Sequence, residues 1–180
     1  PVTLPPSDRM LSEYDSLRTG AASFDFASRT RMEITGSDRT TVLHNFCTND
    51  IKSLRPGRNC EAFICDVKGK VLGHVAALCR GDSLLLETSP DQTETLIGHL
   101  DRYIIMEQVE FADRRSVWRE TFLVGPNAAE VVSSLIADAP PEPDHHVEVE
   151  TSWGWVLIAA TPFGLPDTFM LLYNAANDTD

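Results

Sequence analysis

Positive charge is scarce in this sequence, and long apolar runs are missing from it. Fifteen Lys and Arg residues stand against 27 Asp and Glu, for a net charge of −12 over 180 residues, and three of the fifteen are lysines. That balance excludes a chain built mainly to grip nucleic-acid phosphates, which needs a basic footprint. No stretch of about 18 apolar residues occurs, so no membrane-spanning helix is expected. Pro1-Val2-Thr3-Leu4-Pro5-Pro6 lacks a basic segment leading into an apolar one, so no secretion signal is expected. A chain that opens on Pro rather than Met reads as processed or as a piece of a longer one. Sequence motifs that carry chemistry alone are absent too. Lys68-Gly69-Lys70 lacks the surrounding glycines of a phosphate loop, and there is no G-x-S-x-G elbow and no H-E-x-x-H zinc helix. What is present is an ordinary soluble balance, 42% hydrophobic and 23% charged, in a length that suits one domain or two small ones.

The four cysteines, Cys47, Cys60, Cys65 and Cys79, read as reduced, buried thiols of a cytoplasmic protein. His44-x-x-Cys47 and Cys60-x4-Cys65 invite a metal site, but the spacing opposes one. Cys60 and Cys65 differ by an odd number along an expected strand and so point to opposite faces. The adjacent pair His145-His146 splits between faces for the same reason. No metal is expected.

Periodicity organises the rest. Ser7-Asp8 caps a helix over 7–19, Arg29–Thr35 reads as a strand, and Gly36-Ser37-Asp38 opens a helix that runs out at Asn49-Asp50. Cys60–Cys65 and Val71–Cys79 flank Asp66-Val67-Lys68-Gly69 as a hairpin closed by a left-handed glycine. A strand at Ser83–Glu87 follows. Ser89-Pro90-Asp91-Gln92 then reads as a capping box starting a helix, and Val109–Ala112 as a further strand. Strands are expected over Val117–Val124, His145–Glu150, Trp153–Ala160 and Asp167–Tyr173, with a helix from Gly125-Pro126. Trp153 and Trp155 share one strand face and read as core. The fold class is α+β, with antiparallel sheets and packed helices. Residues 1–56 plus 114–180 form a discontinuous first unit, into which a β-β-β-α-β unit, 57–113, is inserted.

One charge feature stands out. Lys52, Arg55, Arg58, Lys68 and Lys70 put a third of the basic residues into nineteen positions. Such a local reversal of sign would attract an anion such as a polyglutamate tail or phosphate. The competing reading is a solvated turn region balanced by Asp50, Glu61 and Asp66.

Thr35-Gly36-Ser37-Asp38, Thr48-Asn49-Asp50, Leu54-x-Pro56-Gly57 and Asp66-Val67-Lys68-Gly69-Lys70-Val71, followed by the block 100–111, carry a resemblance. In this order and spacing the sequence resembles the folate-binding aminomethyltransferase superfamily. That group holds the T-protein of the glycine cleavage system and the YgfZ-type proteins linked to iron–sulfur maturation. The resemblance covers nearly all of this chain and the first half of a typical member. It implies tetrahydrofolate as cofactor and a folate-sized cavity near the junction of the units, completed elsewhere in the family by a C-terminal barrel domain. By resemblance, Asp66, Lys68, Gly69, Lys70, Thr48, Asn49 and Asp50 are folate-binding candidates. Read structurally, Asp66 and Gly69 satisfy a turn and Thr48-Asn49-Asp50 closes a helix end.

The departures from the family pattern are equally specific. T-proteins carry an Asp-Asp pair after the glycine-rich turn, one of which is the catalytic acid, and here Gly73-His74 stands in its place. No catalytic residue is therefore assigned, His74 being the single candidate for a proton-transfer role, with pairing to Glu61 across the hairpin as its structural alternative. The T-protein G-Y-T-G-E segment corresponds to Thr161–Pro166, with Leu165 in place of the pterin-binding Glu. The YgfZ signature K-G-C-x-x-G-Q-E would lie beyond Asp180. These features imply a YgfZ-like, tetrahydrofolate-binding module that assists iron–sulfur or tRNA-modifying enzymes, with no direct contact to nucleic acid or membrane. The alternatives are an aminomethyltransferase of the T-protein class and a small folate-domain subunit of a heteromeric oxidase.

Overall fold

The computed structural model describes residues 7–25, 28–152, 154–160 and 167–174. Ser7 caps the first helix by accepting the Met10 N–H at 3.3 Å, and α1 runs Asp8–Thr19 without burying a residue. A short strand that the periodicity does not announce, β1 (Ala22–Asp25), follows. The chain then continues β2 (Thr30–Thr35), α2 (Arg39–Phe46), β3 (Arg58–Cys65), β4 (Val71–Cys79), β5 (Ser83–Thr88), α3 (Thr93–Asp101) and β6 (Glu110–Asp113). After these come β7 (Trp118–Val124), α4 (Ala128–Ile136), β8 (His146–Thr151), β9 (Gly154–Ala160) and β10 (Thr168–Asn174). The fold is α+β, as expected, with two antiparallel five-stranded sheets.

One sheet is ordered β3-β4-β5-β2-β6 and the other β1-β7-β10-β9-β8. Alternation along the strands assigns their faces. In the first sheet Ile34, Ile64, Val75, Ala77, Leu84 and Leu86 pack with Leu43 of α2 and Leu96 and Leu100 of α3. On its opposite face Leu78 and Leu85 meet Trp118, Phe122, Leu157 and Leu172 of the second sheet. The outer face of the second sheet packs Val156, Ile158 and Phe169 on Ala128 and Val132 of α4. The layers are therefore helix, sheet, sheet, helix.

Several expectations need correction. The break expected at residue 57 does not coincide with the break between sheets, because β2 is hydrogen-bonded between β5 and β6. Its alternating Met32 and Ile34 are completed by partners far along the chain, which periodicity cannot reveal. The Ser89–Gln92 capping box does not form. Asp91 takes φ +60°, which breaks helical continuity, and α3 begins only at Thr93. The helix α2 stops at Phe46, and Cys47 is already extended, bridging to Ile64 of β3. Gly125 stays outside α4 with φ +124°. Trp153 lies outside the described residues. Its neighbour Trp155 stacks on Trp118, with ring centroids 5.7 Å apart.

Charges are built into the interface between the sheets. Arg31 is fully buried and donates from Nη1 to the Trp118 carbonyl at 2.9 Å and from Nη2 to Glu120 at 3.4 Å. Arg29 Nε reaches Glu87 at 3.0 Å and lies 3.6 Å from Glu120. Nearby, Arg80 lies over the rings of Trp118 and Trp155 and donates twice to Glu148 at 2.9 Å.

His146 is 5% exposed, and its Nδ1 has no hydrogen-bond partner among the described residues. Burial holds this imidazole down at about 4, with Arg80 and His145 acting in the same direction against Glu148. Below an ordinary imidazole value near 6.5, the unfolded chain takes up a proton that the native one refuses, so stability falls until about pH 4. His146→Phe is expected to remove up to about 3 kcal/mol of that acid slope. Urea titrations at pH 7 and pH 4.5 read it directly, and an unchanged slope would show that the imidazole is protonated in place.

Candidate functional site

The hairpin between β3 and β4 carries most of the candidate residues, and its local chemistry explains its shape. Asp66 Oδ1 accepts the backbone N–H groups of Lys68 and Lys70 at 2.8 and 2.9 Å. The Gly69 N–H returns to the Asp66 carbonyl at 2.9 Å, with Gly69 at φ +78°. These N–H groups, that of Lys70 first, hold the Asp66 carboxyl below its ordinary range. Asp66 and Gly69 therefore build the turn, while the Lys68 and Lys70 side chains project from an exposed tip.

Thr48, Asn49 and Asp50 stand beside β3, at the open edge of its sheet. The Thr48 N–H donates to the Phe63 carbonyl, and the Phe63 N–H donates back to Thr48 Oγ1, both at 3.0 Å. Asn49 Nδ2 donates to the Glu61 carbonyl at 2.8 Å. Asp50 accepts the Ser53 N–H at 3.2 Å and lies 3.4 Å from His44 Nδ1. The three residues satisfy an edge strand that would otherwise present unpaired backbone groups, and they anchor the ribbon bearing His74.

Gly73 and His74 face opposite ways. A Cβ at Gly73 would meet the Leu96 methyl carbons at 3.2 and 3.3 Å, so this position belongs to the contact with α3. His74 pairs with Phe63 across the ribbon and shares its face with Ala76 and Leu78, the face turned toward the second sheet. Near the ribbon's end that face is only partly covered. Phe63 is 46% exposed, its ring centroid lies 5.2 Å from that of His74, and His74 Nε2 lies 3.5 Å from Glu61 Oε2. This is the cross-hairpin pairing the sequence offered as the structural alternative for His74. Phe63 was missed because its place beside His74 depends on the hairpin register. Leu165, in the stretch matched to the pterin-binding Glu, lies outside the described residues.

On the other side of the ribbon a cleft of about 600 Å³ opens between the hairpin tip and α3. Asp66, Val67, Lys68, Gly98, His99 and Arg102 are among its lining residues. The structure does not gather the five basic residues counted in the sequence. The eight-residue strand β3 puts Arg58 at one end and the Lys68–Lys70 tip past the other, roughly 25 Å away at about 3.3 Å per residue. Arg58 is engaged with His145.

Among the described residues no three His, Cys, Asp or Glu side chains gather closely enough to hold a metal ion. Burial raises the thiols of Cys47, Cys60 and Cys79, that of Cys60 to about 11, so these three are protonated near neutral pH.

Comparison with known proteins places this geometry. The GCVT N-terminal domain family matches residues 4–151. The chain belongs to that family. A probable aminomethyltransferase of Natronomonas pharaonis is 29% identical over 137 residues, covering 73% of this chain and 38% of that protein. An aminomethyltransferase of Geobacillus kaustophilus is 28% identical over 128 residues, 68% of this chain and 34% of its own. The chain thus spans about a third of the length of these curated relatives. The crystal structure of the glycine cleavage system aminomethyltransferase T from Bartonella henselae has the same fold. It aligns with TM-score 0.75 at 15% identity, over 90% of this chain and 44% of that one. The T-N-D residues tie their loop to the open edge of the first sheet, and it is the sequence resemblance that puts the acid pair at Gly73 and His74.

Proposed function

We propose that this GCVT N-terminal domain binds tetrahydrofolate on the open face around His74, Phe63 and Glu61, without performing the proton chemistry of a T-protein. One observation carries the reading. Of the two positions where the resemblance puts catalytic aspartates, Gly73 is closed by Leu96 and His74 alone faces outward. Aminomethyl transfer to a folate nitrogen needs a proton-transferring group at the reacting centre, and neither of these two positions carries a carboxylate, Glu61 being engaged with the His74 ring instead. Phe63 offers an exposed ring against a pterin or benzoyl group, and the His74–Glu61 pair offers polar partners. A binding module without turnover fits the YgfZ-type role, in which a folate-loaded protein assists an iron–sulfur or tRNA-modifying enzyme. Calorimetric titration with tetrahydrofolate is expected to show saturable binding that Phe63→Ala weakens about tenfold. No heat from a correctly folded sample would sink the proposal. A second reading, aminomethyl transfer with His74 as the proton carrier, draws on its 3.5 Å approach to Glu61, which would orient the ring. Turnover in a glycine-cleavage assay that His74→Ala abolishes would favour this second reading over the first.

A further inference from the structure

The cleft at the hairpin tip lies on the opposite side of the ribbon from His74, and the reading above gives it no role. Its floor is one face of α3. Glu94, Thr95, Gly98, His99 and Arg102 follow at helical spacing, and the Asp66–Lys68 turn forms the opposing wall. His99 is held in place, 8% exposed, with Nε2 3.1 Å from the Cys65 carbonyl and its ring against Phe46 and Tyr103.

Two independent observations point to a ligand. The first is electrostatic. Six of the twelve arginines of this acidic chain, Arg9, Arg29, Arg31, Arg80, Arg114 and Arg115, reach carboxylates. Lys68 and Arg102, both lining the cleft, reach no carboxylate within 4.0 Å among the described residues. Asp66 lines it as well and stays ionised, its Oδ1 held by two backbone N–H groups, so it opposes an anion from the turn side. The second observation is Gly98. Glycine inside a helix costs about 1 kcal/mol relative to alanine. Among the described residues nothing lies within 4 Å of a Cβ built at Gly98, so no packing neighbour there demands the glycine. What a side chain there would occupy is the cleft itself.

We propose that the tip cleft is a second binding site, for the anionic group of a small molecule, a carboxylate or a phosphate, held between Lys68 and Arg102 over the Gly98 floor. Glu94 is a second opposing charge. It sits eight residues before Arg102, roughly 12 Å along the helix at about 1.5 Å per residue, and so marks the far end of the site.

The test is a proton–nitrogen correlation spectrum of the whole chain titrated with sodium phosphate and, separately, with γ-linked triglutamate at constant ionic strength. The expected result is saturable displacement of the Gly69 and Gly98 amide signals. Lys68→Gln and Arg102→Gln should each weaken it about tenfold, the size of one charge-assisted contact. Gly98→Leu should abolish it, and Glu94→Gln should tighten it. Earlier saturation by triglutamate identifies a carboxylate ligand, and earlier saturation by phosphate identifies a phosphate ligand. Non-saturating shifts, or saturation that persists when Lys68 and Arg102 are both neutralised, would overturn the proposal. These two substitutions are at exposed or cleft-facing positions, so the test stands even if Gly98→Leu does not fold. His74→Ala leaves this binding unchanged, which separates it from the folate face.

Discussion

Arg31→Met is expected to lower folding stability by about 3–5 kcal/mol, the usual cost of removing one member of a buried ionic group. The side chain is fully buried in β2, and it reaches across the interface to the Trp118 carbonyl and to Glu120 of β7. Glu87 of β5 completes the cluster, 3.4 Å from Arg31 Nε. Methionine matches the aliphatic stem but leaves two buried carboxyls facing Arg29 alone. For a domain whose total stability is of the order of 5–15 kcal/mol, that loss is a large fraction. Burial already raises both carboxyls, Glu120 to about 10, with neighbouring Glu87 adding to the burial and the two arginines opposing it. Because the native state holds a proton that the unfolded chain releases above its ordinary carboxyl range, stability declines as pH rises. Glu120 is protonated across this range with or without Arg31 and adds no difference, but Arg31 also holds Glu87 down, so its loss favours protonated Glu87 and the deficit at pH 8 should exceed that at pH 5. Urea midpoints at the two pH values measure this. A deficit below 1 kcal/mol would mean that the cluster does not couple the two sheets, and one independent of pH would mean that Arg31 does not hold the Glu87 carboxyl down.

Much of this architecture can be read from local pattern, and the failures have one physical source. The β3–β4 hairpin is legible because Asp66, Gly69 and the alternation on either side are neighbours in sequence. The α1 cap at Ser7 is legible for the same reason. The place of β2 is not, since its partners β5 and β6 are chosen by tertiary packing. The Ser89–Gln92 box failed because Asp91 accepts a left-handed conformation and the Gln92 N–H is taken by Thr30 Oγ1 at 3.2 Å, a partner 62 residues away. The site divides similarly. His74 could be singled out from the sequence through the family resemblance, but that Gly73 faces α3 and His74 the open side depends on register. The ribbon also carries an irregularity, with Ile64 opposite Gly73 but Cys65 opposite Val71. The basic cluster misled because proximity along a strand is distance in space.

The T-G-x-D motif yields the other large effect, Gly36→Ala. Gly36 has φ +99°, and a Cβ there would lie 2.1 Å from the Gln108 carbonyl oxygen and 2.9 Å from the Val109 Cα. Backbone cannot rotate aside as a side chain can, so the 107–109 segment must retreat. Two hydrogen bonds go with it, from the Asp38 N–H to the Gln108 carbonyl at 3.2 Å and from the Gln108 N–H to Asp38 Oδ2 at 2.7 Å. The motif is thus a splice. Glycine permits close approach, Asp38 locks it, and β6 enters the sheet beside β2 in register. The left-handed conformation alone costs alanine about 1 kcal/mol, and displaced backbone with two lost bonds brings the total to about 3 kcal/mol or more. Gly69→Ala calibrates the argument within the same protein. It shares a positive φ of +78°, but nothing lies within 4 Å of its Cβ, so it should lose only the conformational share, about 1 kcal/mol. Equal losses at the two glycines, measured by thermal or urea unfolding, would remove the close approach of Gln108 as the reason for the motif. A threefold difference would place that reason in the splice between the β2–α2 turn and the strand that follows α3.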